Sequence, residues 1–520
     1  MKAATIRRFQ TVHTWTGLLA GFALFVAFYA GALTVFHDEI VAWQNPPWRA
    51  APDARVSTDA LIESLLAHHP ETRGDFGIVL PDGGGSAYAY WLDKGAARFA
   101  TASQMDAPAA EAGDGNLADF VYALHDSLGL PVVGLYLMGL VSVLYGLALV
   151  SGFLIHLPQL LGDLFALRAG RNLKRLWQDA HNAIGVLSLP FHVIFALTGA
   201  IFCLSAITLF ALNTISFDGK LFGLFAQATA TAPATHASGV ASAMLPPEQL
   251  RARARIAALA EGVTRFDPSY LHYTHYGDRN AVVEVLGLSQ HTLGTYGTVA
   301  LSARDGSVLA MHVGDAQDAN QLSWSALYAL HFGNFGGDTV RWLYFVLGLA
   351  GAFLFYSGNL LWVESRRKRR HADQPLRTRV MARATVGVCI GSCLGISGAF
   401  GAALACSQLG IDAAVPQRVA CYGLFLAACA WACARPVARA AAELLGATAV
   451  LTAAVAIADL VGNAGHWMQP WTPATRAVLG VDLTGIVLAI AFAGLARAAL
   501  RRGRDGDPHS VWALPAPDTI

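Results

Sequence analysis

The feature that most constrains this chain is a series of eight long, predominantly apolar runs. A helix needs ~20 such residues to cross a bilayer. The runs are 14–36, 132–155, 183–211, 340–363, 384–408, 418–434, 440–462 and 479–499. Because hydrophobic residues make up 55% of the chain and charged residues only 14%, ordinary globular cores cannot hold all the apolar surface. The sequence therefore predicts an α-helical polytopic membrane protein with about eight spans.

Basic residues predict the orientation of these spans, because Lys and Arg near membrane ends favour the cytoplasm. They cluster in every second connection and at both ends of the series. The clusters are Lys2, Arg7 and Arg8; Arg168, Arg171, Lys174 and Arg175; 366–370; Arg435 and Arg439; and Arg501, Arg502 and Arg504. We therefore expect a multi-pass protein of the bacterial inner membrane with both termini in the cytoplasm. The net charge of +1 gives no reason to expect a nucleic-acid partner.

An internal duplication relates the first four spans in two registers. In the first register the segment 9–13 aligns with 177–181, and Gly17 and Gly31 fall on Gly185 and Gly199 without a gap. In the second register 122–125 aligns with 328–331, and Ser151-Gly152 falls on Ser357-Gly358. Each copy therefore consists of a helix, an outer segment and a second helix. Because each copy has an even number of spans, we expect the two copies to share one orientation.

The two outer segments, 38–124 and 212–330, are too polar for lipid and are expected to fold as small α+β modules. Ser57-Thr58-Asp59 predicts a capped helix in the first module, and 246–260 predicts its counterpart in the second. Residues 88–92, 281–286 and 298–302 are predicted strands, and Asp305-Gly306 is a predicted turn. The segment 226–243, rich in Ala, Thr and Ser, is predicted to be a flexible linker.

The predicted organisation divides the chain into seven parts. They are span one in 1–37; the first outer module in 38–124; spans two and three with a basic loop in 125–211; the second outer module in 212–330; span four with a basic end in 331–370; spans five to eight in 371–504; and a cytoplasmic tail in 505–520. Spans five to eight contain no copy of the duplicated motifs, and Asp459, His466 and Asp482 are expected in solvated positions near their outer ends.

Four histidines of the duplication are the candidate haem ligands. His13 and His181 occupy equivalent inner ends of spans one and three, while His125 and His331 occupy equivalent outer approaches to spans two and four. An imidazole nitrogen ligates haem iron, and a twofold axis between paired helices offers one ligand to each face of the macrocycle. Two haems follow, one near each surface. Gly17 and Gly185 are four residues after the inner histidines, on the same helix face, where a porphyrin could approach the backbone.

His192 is a reserve ligand for the outer haem. It follows His181 by eleven residues and lies on the same helix face, ~16 Å along the axis. The alternative is that His192 bonds a backbone carbonyl that Pro190 leaves without a partner. His272, His275, His291 and His312 in the second outer segment could gather a metal or a ferric complex, although exposed surface positions are the alternative.

These motifs, in this order, resemble the PepSY-associated transmembrane family over residues 5–370. The resemblance is carried by His13 with Gly17, His181 with Gly185, Thr198-Gly199, Ser357-Gly358, the Leu-His pairs that end at His125 and His331, and the two outer segments. It implies a four-helix core with two b-type haems and two PepSY-like periplasmic modules. It also implies an oxidoreductase that reduces a periplasmic ferric siderophore and so releases iron. Spans five to eight lie outside this pattern.

The electron donor must be another molecule, because no GxGxxG follows a strand and the cytoplasmic connections are too short for a flavin or nicotinamide domain. Membrane quinol or a separate cytoplasmic reductase are the candidates. Two other function classes stay open: a transporter of a siderophore or metal, with its site between the repeats, and a non-catalytic regulator with PepSY-like modules. A haem spectrum of the purified protein would separate electron transfer from both.

Overall fold

A computed structural model of the chain describes residues 3–46, 56–80, 87–93, 96–102, 105, 110–111, 116–157, 173–289, 293–294, 296–368, 371, 373–467 and 471–514. The chain forms two compact units. The helical unit contains Met1–Ile40, Gly115–Ser205 and Tyr344–Ile520, and the sheet unit contains Val41–Asp114 and Ala206–Leu343. Each unit is described by itself below.

Sixteen α-helices occur in the described residues. They are α1 Ala3–Thr34, α2 His37–Gln44, α3 Thr58–His68, α4 Leu117–Ser127, α5 Val133–His156, α6 Leu173–Leu187, α7 Leu189–Ile215, α8 Leu221–Thr229, α9 Pro247–Ala260, α10 Ala319–Phe332, α11 Gly337–Arg366, α12 Leu376–Thr385, α13 Gly391–Leu409, α14 Ala414–Ala434, α15 Val437–Gly462 and α16 Pro473–Asp505. A π-helical turn, Val386–Ile390, joins α12 to α13.

Eight helical segments in the described part of the chain are long and apolar enough to cross a membrane, in agreement with the sequence. They are Ala4–Thr34, Val133–His156, Leu189–Ile215, Gly337–Arg366, Leu376–Leu409, Ala414–Ala434, Val437–Gly462 and Thr475–Asp505. Their length and their high content of Leu, Val, Ala and Phe permit every backbone group to be hydrogen-bonded within the helix, as hydrocarbon requires. The chain is therefore a multi-pass membrane protein.

The helix that corresponds to span three is divided, whereas α1 is continuous. The chain leaves regular α-geometry at Ser188, between α6 and α7, and Pro190 follows two residues later. Proline has no N–H to donate to the preceding turn, which accounts for the interruption at this point. The predicted third span, 183–211, therefore starts too early: the membrane-crossing helix is Leu189–Ile215, and His181 lies on the preceding helix α6.

The sheet unit is built on one antiparallel sheet of eight strands. They are β1 Asp75–Val79, β2 Tyr88–Asp93, β3 Ala96–Ala100, β4 Ala110–Glu111, β5 Phe266–Thr274, β6 Val282–Ser289, β7 Tyr296–Ser302 and β8 Val308–His312, in the order β4-β3-β2-β1-β5-β6-β7-β8. The predicted strands at 88–92, 281–286 and 298–302 coincide with β2, β6 and β7. Each outer segment has two α-helices followed by four strands (α2 and α3 before β1–β4, α8 and α9 before β5–β8), so the two segments have the same order of elements.

Strands β1 and β5 join the two outer segments. Ile78 lies opposite Leu271 in this antiparallel pair, and both side chains are fully buried. Helices α3 and α9 cover the same face of the sheet, where Leu65 and Leu250 enter a core shared with Ile78 and Leu271. The sequence predicted two separate modules at 38–124 and 212–330. The structure joins them instead in one sheet with one hydrophobic core.

The predicted linker 226–243 is held along most of its length. Its first four residues belong to α8, and Asp278 binds the next part of the segment by accepting hydrogen bonds from the Ser238 hydroxyl at 2.9 Å and the Gly239 amide at 2.8 Å. Thr231 donates to Glu284 on β6. The prediction of a flexible linker is therefore wrong, because Asp278 and Glu284 supply acceptors that the local composition does not reveal.

Helices α12 to α16 are part of the helical unit rather than a separate appendage. The π-helical turn contacts α1, and α15 packs along α16. Gly485 permits close approach to Ala456, where an added Cβ would lie 3.3 Å from the Ala456 Cβ. Asp459 is 0% exposed and Asp482 is 1% exposed, so the expectation that they are solvated is wrong. Both residues are buried in the packing between helices and are not in contact with solvent.

The segment after residue 505, predicted to be a cytoplasmic tail, is bound to the end of α11 by side-chain hydrogen bonds and ion pairs. Trp512 Nε1 donates to Glu364 Oε1 at 3.0 Å, and Arg367 pairs with both Glu364 at 3.1 Å and Asp507 at 2.8 Å. Glu364 is buried, and a buried carboxylate needs such charge-assisted partners. These contacts connect the fourth and eighth membrane helices at their ends.

We predict that Leu271→Ala will lower the stability of both outer segments together. Removing a fully buried Leu from a core costs about 2–5 kcal/mol. Limited proteolysis with mass spectrometry should detect new cuts in both 56–111 and 246–312, since the segments share that core. Leu259→Ala, at a position 58% exposed on α9, is the matched control and should leave the pattern unchanged. New cuts confined to one segment would show that the two halves unfold independently.

Candidate functional site

The structure brings His13 of α1 and His181 of α6 together in the helical unit. Their ring centroids are 6.1 Å apart, and the ring planes are inclined at 78°. Both side chains are partly buried. The sequence predicted this pair from the first register of the duplication. It is the one predicted ligand pair whose two members lie in the same unit.

Each of these two imidazoles hydrogen-bonds a backbone carbonyl of a neighbouring helix. His13 Nδ1 is 2.8 Å from the Ala148 oxygen on α5, and His181 Nδ1 is 3.1 Å from the Leu354 oxygen on α11. A carbonyl only accepts, so Nδ1 carries the proton in both rings and Nε2 keeps its lone pair. Ala148 and Leu354 are three residues before the matched serines Ser151 and Ser357, so the contact repeats in the second register.

A glycine lies under each ring, one helical turn after the bonded carbonyl. A Cβ at Gly152 would be 3.0 Å from His13 Cε1, and a Cβ at Gly358 would be 3.3 Å from His181 Cε1. In an α-helix the carbonyl of residue i is directed toward residue i+4, so a side chain at i+4 obstructs access to it. The glycine therefore gives the imidazole room to reach the carbonyl. We call this combination of carbonyl and glycine a histidine seat.

His125 of α4 occupies a third seat. Its Nδ1 is 2.8 Å from the Ala27 oxygen on α1, and a Cβ at Gly31 would be 2.6 Å from the same nitrogen. Gly31 is again four residues after the bonded carbonyl. Sequence analysis used Gly31, Gly152 and Gly358 only to align the repeats and did not recognise their role. The available signal was that Gly152 and Gly358 occupy matched positions in the second register.

The glycines that sequence analysis did single out, Gly17 and Gly185, leave space of a different kind. Among the described residues, no heavy atom would lie within 4 Å of a Cβ at Gly17, and only Leu354 Cδ1, at 3.7 Å, would approach one at Gly185. The backbone at these two glycines is therefore largely uncovered by other side chains, as the predicted approach of a porphyrin to the backbone requires.

The donor set of the inner pair fits a haem iron. Two neutral imidazoles with protonated Nδ1 each present an Nε2 lone pair, and in the described residues neither Nε2 has a hydrogen-bond partner. The described residues contain no group of three or more His, Cys, Asp or Glu arranged around a metal ion, but axial haem ligation needs only two.

His331 lies in the last turn of α10, which belongs to the sheet unit. Its ring is 5.2 Å from the Phe332 ring, and the helix ends at Gly333 in the left-handed conformation. Helix α4 ends similarly, with Leu128 left-handed three residues after His125. Because His125 and His331 belong to different units, the pairing of these two histidines at one haem stays a prediction.

The reserve ligand His192 is fully buried and uses both ring nitrogens in hydrogen bonds. Ser188 donates its own proton to the Ile184 carbonyl at 2.5 Å, so His192 Nε2 donates to the Ser188 oxygen at 3.0 Å. His192 Nδ1 then accepts from the Tyr145 hydroxyl at 2.6 Å. The alternative reading, a bond to the carbonyl that Pro190 leaves without a partner, is wrong, because two hydroxyl groups are closer and better placed.

An ion pair joins α2 to the helix that carries His125. His37 Nε2 is 2.9 Å from Asp119 on α4, and His37 Nδ1 is 3.0 Å from Asp38. Burial of the ring opposes protonation, but the hydrogen bonds to Asp119 and Asp38 outweigh it and raise the pKa of His37 to about 9. The ring is therefore cationic at neutral pH, and it holds the start of α4 beside the end of α1.

The remaining predicted histidines do not assemble a metal site among the described residues. His272 lies between Asp75 and Glu284, at 3.1 Å from each. Burial lowers the pKa of His272, but the hydrogen bonds to Glu284 and Asp75 outweigh this effect, so the pKa is raised above its ordinary value. His275 Nε2 is 3.2 Å from the Thr235 carbonyl. His312 lies at the end of β8, and His291 is outside the described residues. His272 is thus an ion-pair partner across β1, β5 and β6.

Comparison with known proteins adds one family and one relative. Residues 10–365 match the family model described as PepSY-associated TM region. A Pseudomonas aeruginosa protein named only as uncharacterized is 27% identical over 285 residues, which cover 52% of this chain and 69% of the relative. The family match contains the three histidine seats and ends before α12.

We predict that Gly152→Val will destabilise the protein by breaking the His13 seat. The larger side chain would displace the ring from the Ala148 carbonyl, which costs about 1–3 kcal/mol for the buried polar group and a similar amount for overpacking. Thermal unfolding in detergent should report the loss. Gly146→Val on the same helix is the matched control, because no described atom is within 4 Å of its Cβ position. Equal melting temperatures for the two variants would refute a role for the seat.

Proposed function

Because this chain belongs to the PepSY-associated TM family, we propose that it is an oxidoreductase that moves electrons across the inner membrane and reduces a periplasmic ferric siderophore. The family match covers more than half of the chain. The observation that carries the proposal is the inner pair, His13 and His181: their ring centroids are 6.1 Å apart, and neither Nε2 has a hydrogen-bond partner in the part of the chain that the structure describes. The electrons would pass along two b-type haems, one near each membrane surface.

His13 and His181 would hold the inner haem, which supplies one-electron transfer when bound. The residues around them orient the ligands. The Nδ1–H bonds to the Ala148 and Leu354 carbonyls select the tautomer and make each Nε2 more basic. The Ser357 hydroxyl is also 3.3 Å from His181 Nδ1, a contact without a described counterpart at His13. If the two imidazoles hold a haem, they would therefore differ in basicity, which is one of the properties that tune a redox potential.

His125 and His331 would hold the outer haem, and His192 is not included in the ligand set. On α1, His13 and the carbonyl of Ala27 that receives His125 are fourteen residues apart, or about 21 Å along the helix axis. A separation of this size fits two haem sites within the ~30 Å of hydrocarbon. The helical unit also contains packed aromatic rings, among them Phe28 and Phe355, whose centroids are 5.1 Å apart.

The reaction requires a donor that this chain does not contain. Membrane quinol or a cytoplasmic reductase would supply electrons at the inner side, and both chain termini would lie in the cytoplasm. The ferric siderophore would receive one electron at the outer side, where the two outer segments, which we propose to be PepSY-like, face the periplasm. Reduction weakens binding, because Fe(II) is softer than Fe(III) and suits hard oxygen ligands less well. Fe(II) would then be released for uptake.

We predict that the purified protein contains haem b and that the inner pair holds half of it. His13→Ala and His181→Ala should each reduce the dithionite-reduced minus oxidised haem absorbance by about half, since one of two bis-histidine sites is lost. Both variants should also stop siderophore reduction in proteoliposomes supplied with a quinol.

His68→Ala is the matched control for this experiment. His68 is exposed on α3, in the sheet unit, and its Nδ1 is 2.8 Å from the Ser64 carbonyl of the same helix. It should retain the full spectrum. A colourless parent protein would reject the proposal and favour a transporter of a siderophore or metal, or a non-catalytic regulator.

We predict that His125→Ala and His331→Ala each remove the other haem, whereas His192→Ala retains both. The reason is that His192 already uses both nitrogens in hydrogen bonds to Tyr145 and Ser188. Pyridine haemochrome analysis would give the haem content per protein. Loss of haem in His192→Ala together with full content in His331→Ala would show that the outer assignment is wrong, even if the inner pair stands.

A further inference from the structure

Helix α8, Leu221–Thr229, is apolar and yet buries none of its residues. Phe222 is 49% exposed, Leu224 is 53% exposed and Phe225 is 43% exposed. No charged residue occurs between Lys220 and the start of α9. Apolar side chains on a nine-residue helix in water would favour neither solubility nor a stable helix, because short isolated helices are marginal. The exposed surface of α8 therefore needs an apolar partner.

The corresponding helix of the first copy does not have this property. Helix α2 also follows a membrane span directly, but it carries Asp38 and Glu39 in its first turn and buries Ile40 and Trp43 to 3% and 1% exposure. The two helices occupy equivalent places in the duplicated chain and differ in burial. The exposure of α8 is thus specific to the second copy and is not a general property of the connection.

Helix α8 follows one membrane span, α7, and the helix that it contacts, α10, precedes the next span, α11. Helix α7, which is a membrane span, ends at Ile215, and α8 begins six residues later. The end of α7 is strongly exposed, with Phe210 at 65% and Ile215 at 81%. The apolar surface of the span therefore continues into α8. The five residues between the helices include the left-handed pair Asp218 and Gly219, which turns the chain.

Helix α8 packs against α10, and α10 leads into the next span. Helix α10 is fixed to the sheet, since the Ser325 hydroxyl accepts from the Tyr296 amide at 3.1 Å. It also presents Trp324 and Leu322, each 45% exposed. Trp is enriched where a side chain meets both headgroups and acyl chains. The pair α8 and α10 thus combines apolar and interfacial side chains between one span that ends and another that begins.

We propose that α8, supported by α10, lies in the lipid interface at the membrane surface where α7 ends, with Phe222, Leu224 and Phe225 toward the acyl chains. An interfacial helix buries its apolar side chains ~5–10 Å into the boundary between headgroups and acyl chains. The lipid surface is the occupant that the continuity with α7 favours. This anchor holds the second outer segment close to the bilayer and is independent of any cofactor.

The experiment is quenching of an introduced Trp by brominated lipid in vesicles that contain the full-length protein. Phe222→Trp is compared with Ile256→Trp, a position 69% exposed on α9 in the same unit. Each variant's added fluorescence is measured against the parent, which has 12 native Trp, in phosphatidylcholine with and without dibrominated acyl chains. We expect about a twofold loss for the Phe222→Trp variant and little loss for the Ile256→Trp variant.

Two outcomes would overturn the proposal. Quenching in Phe222→Trp that is no greater than in Ile256→Trp would place α8 outside the lipid interface. Protection of the indole introduced by Phe222→Trp from both brominated lipid and aqueous iodide would assign this face to a second copy or another protein. Leu224→Trp is the second variant and should be quenched like Phe222→Trp, so the test does not depend on one substitution being tolerated.

Discussion

The arrangement of the first four spans depends on a hydrogen bond from an imidazole to a carbonyl that already belongs to a helix. His13, His181 and His125 each make this bond, to Ala148, Leu354 and Ala27. The carbonyl has a second lone pair to offer, but a side chain one turn later would obstruct it, so a glycine at that position is a steric requirement. The bond determines which ring nitrogen is protonated, how closely two helices approach and where the second nitrogen is available. One constraint thus connects helix packing to the chemistry proposed for the site.

The sequence predicted the members of this arrangement but not the bonds between them. Apolar run length, basic clusters and repeat registers are signals carried by neighbouring residues, and they located eight spans and the pair His13 and His181. The carbonyl that each ring contacts is 135 residues away for His13 and 173 for His181, and a carbonyl has no sequence signature. The same limit explains the misplaced third span, where the pattern of apolar residues continues through the break before Pro190, and the buried Asp459 and Asp482, whose environment is made by a neighbouring helix.

The sheet unit shows how a duplicated chain can form one fold from two similar parts. Each segment supplies two helices and a four-stranded meander, and the strand signals in β2, β6 and β7 were readable from composition. The antiparallel pairing of β1 with β5 was not, because it joins residues 197 positions apart in the sequence, such as Phe76 and Tyr273. Pairing the inner edges buries backbone groups that two separate sheets would each expose, and it merges two small cores into one. The two copies differ in the helix that follows the first span of each: α2 is packed and acidic, while α8 is apolar and exposed.

Buried histidines in a membrane protein are often candidates for function, and hydrogen bonding distinguishes those whose ring nitrogens are both in use from those that keep one available. His192 is the most deeply buried of the candidates, at 0% exposure, but ligation there would sacrifice a bond to Tyr145 or Ser188 and leave a buried hydroxyl without its partner. Such a loss costs about 1–3 kcal/mol, which a ligand bond would first have to offset. Among the described residues, His13 and His181 are hydrogen-bonded only through Nδ1, and that bond would make each Nε2 a stronger donor to the proposed haem iron. Burial and sequence spacing alone would rank His192 beside them, whereas the bonding of both ring nitrogens places it among the residues that stabilise the helical unit.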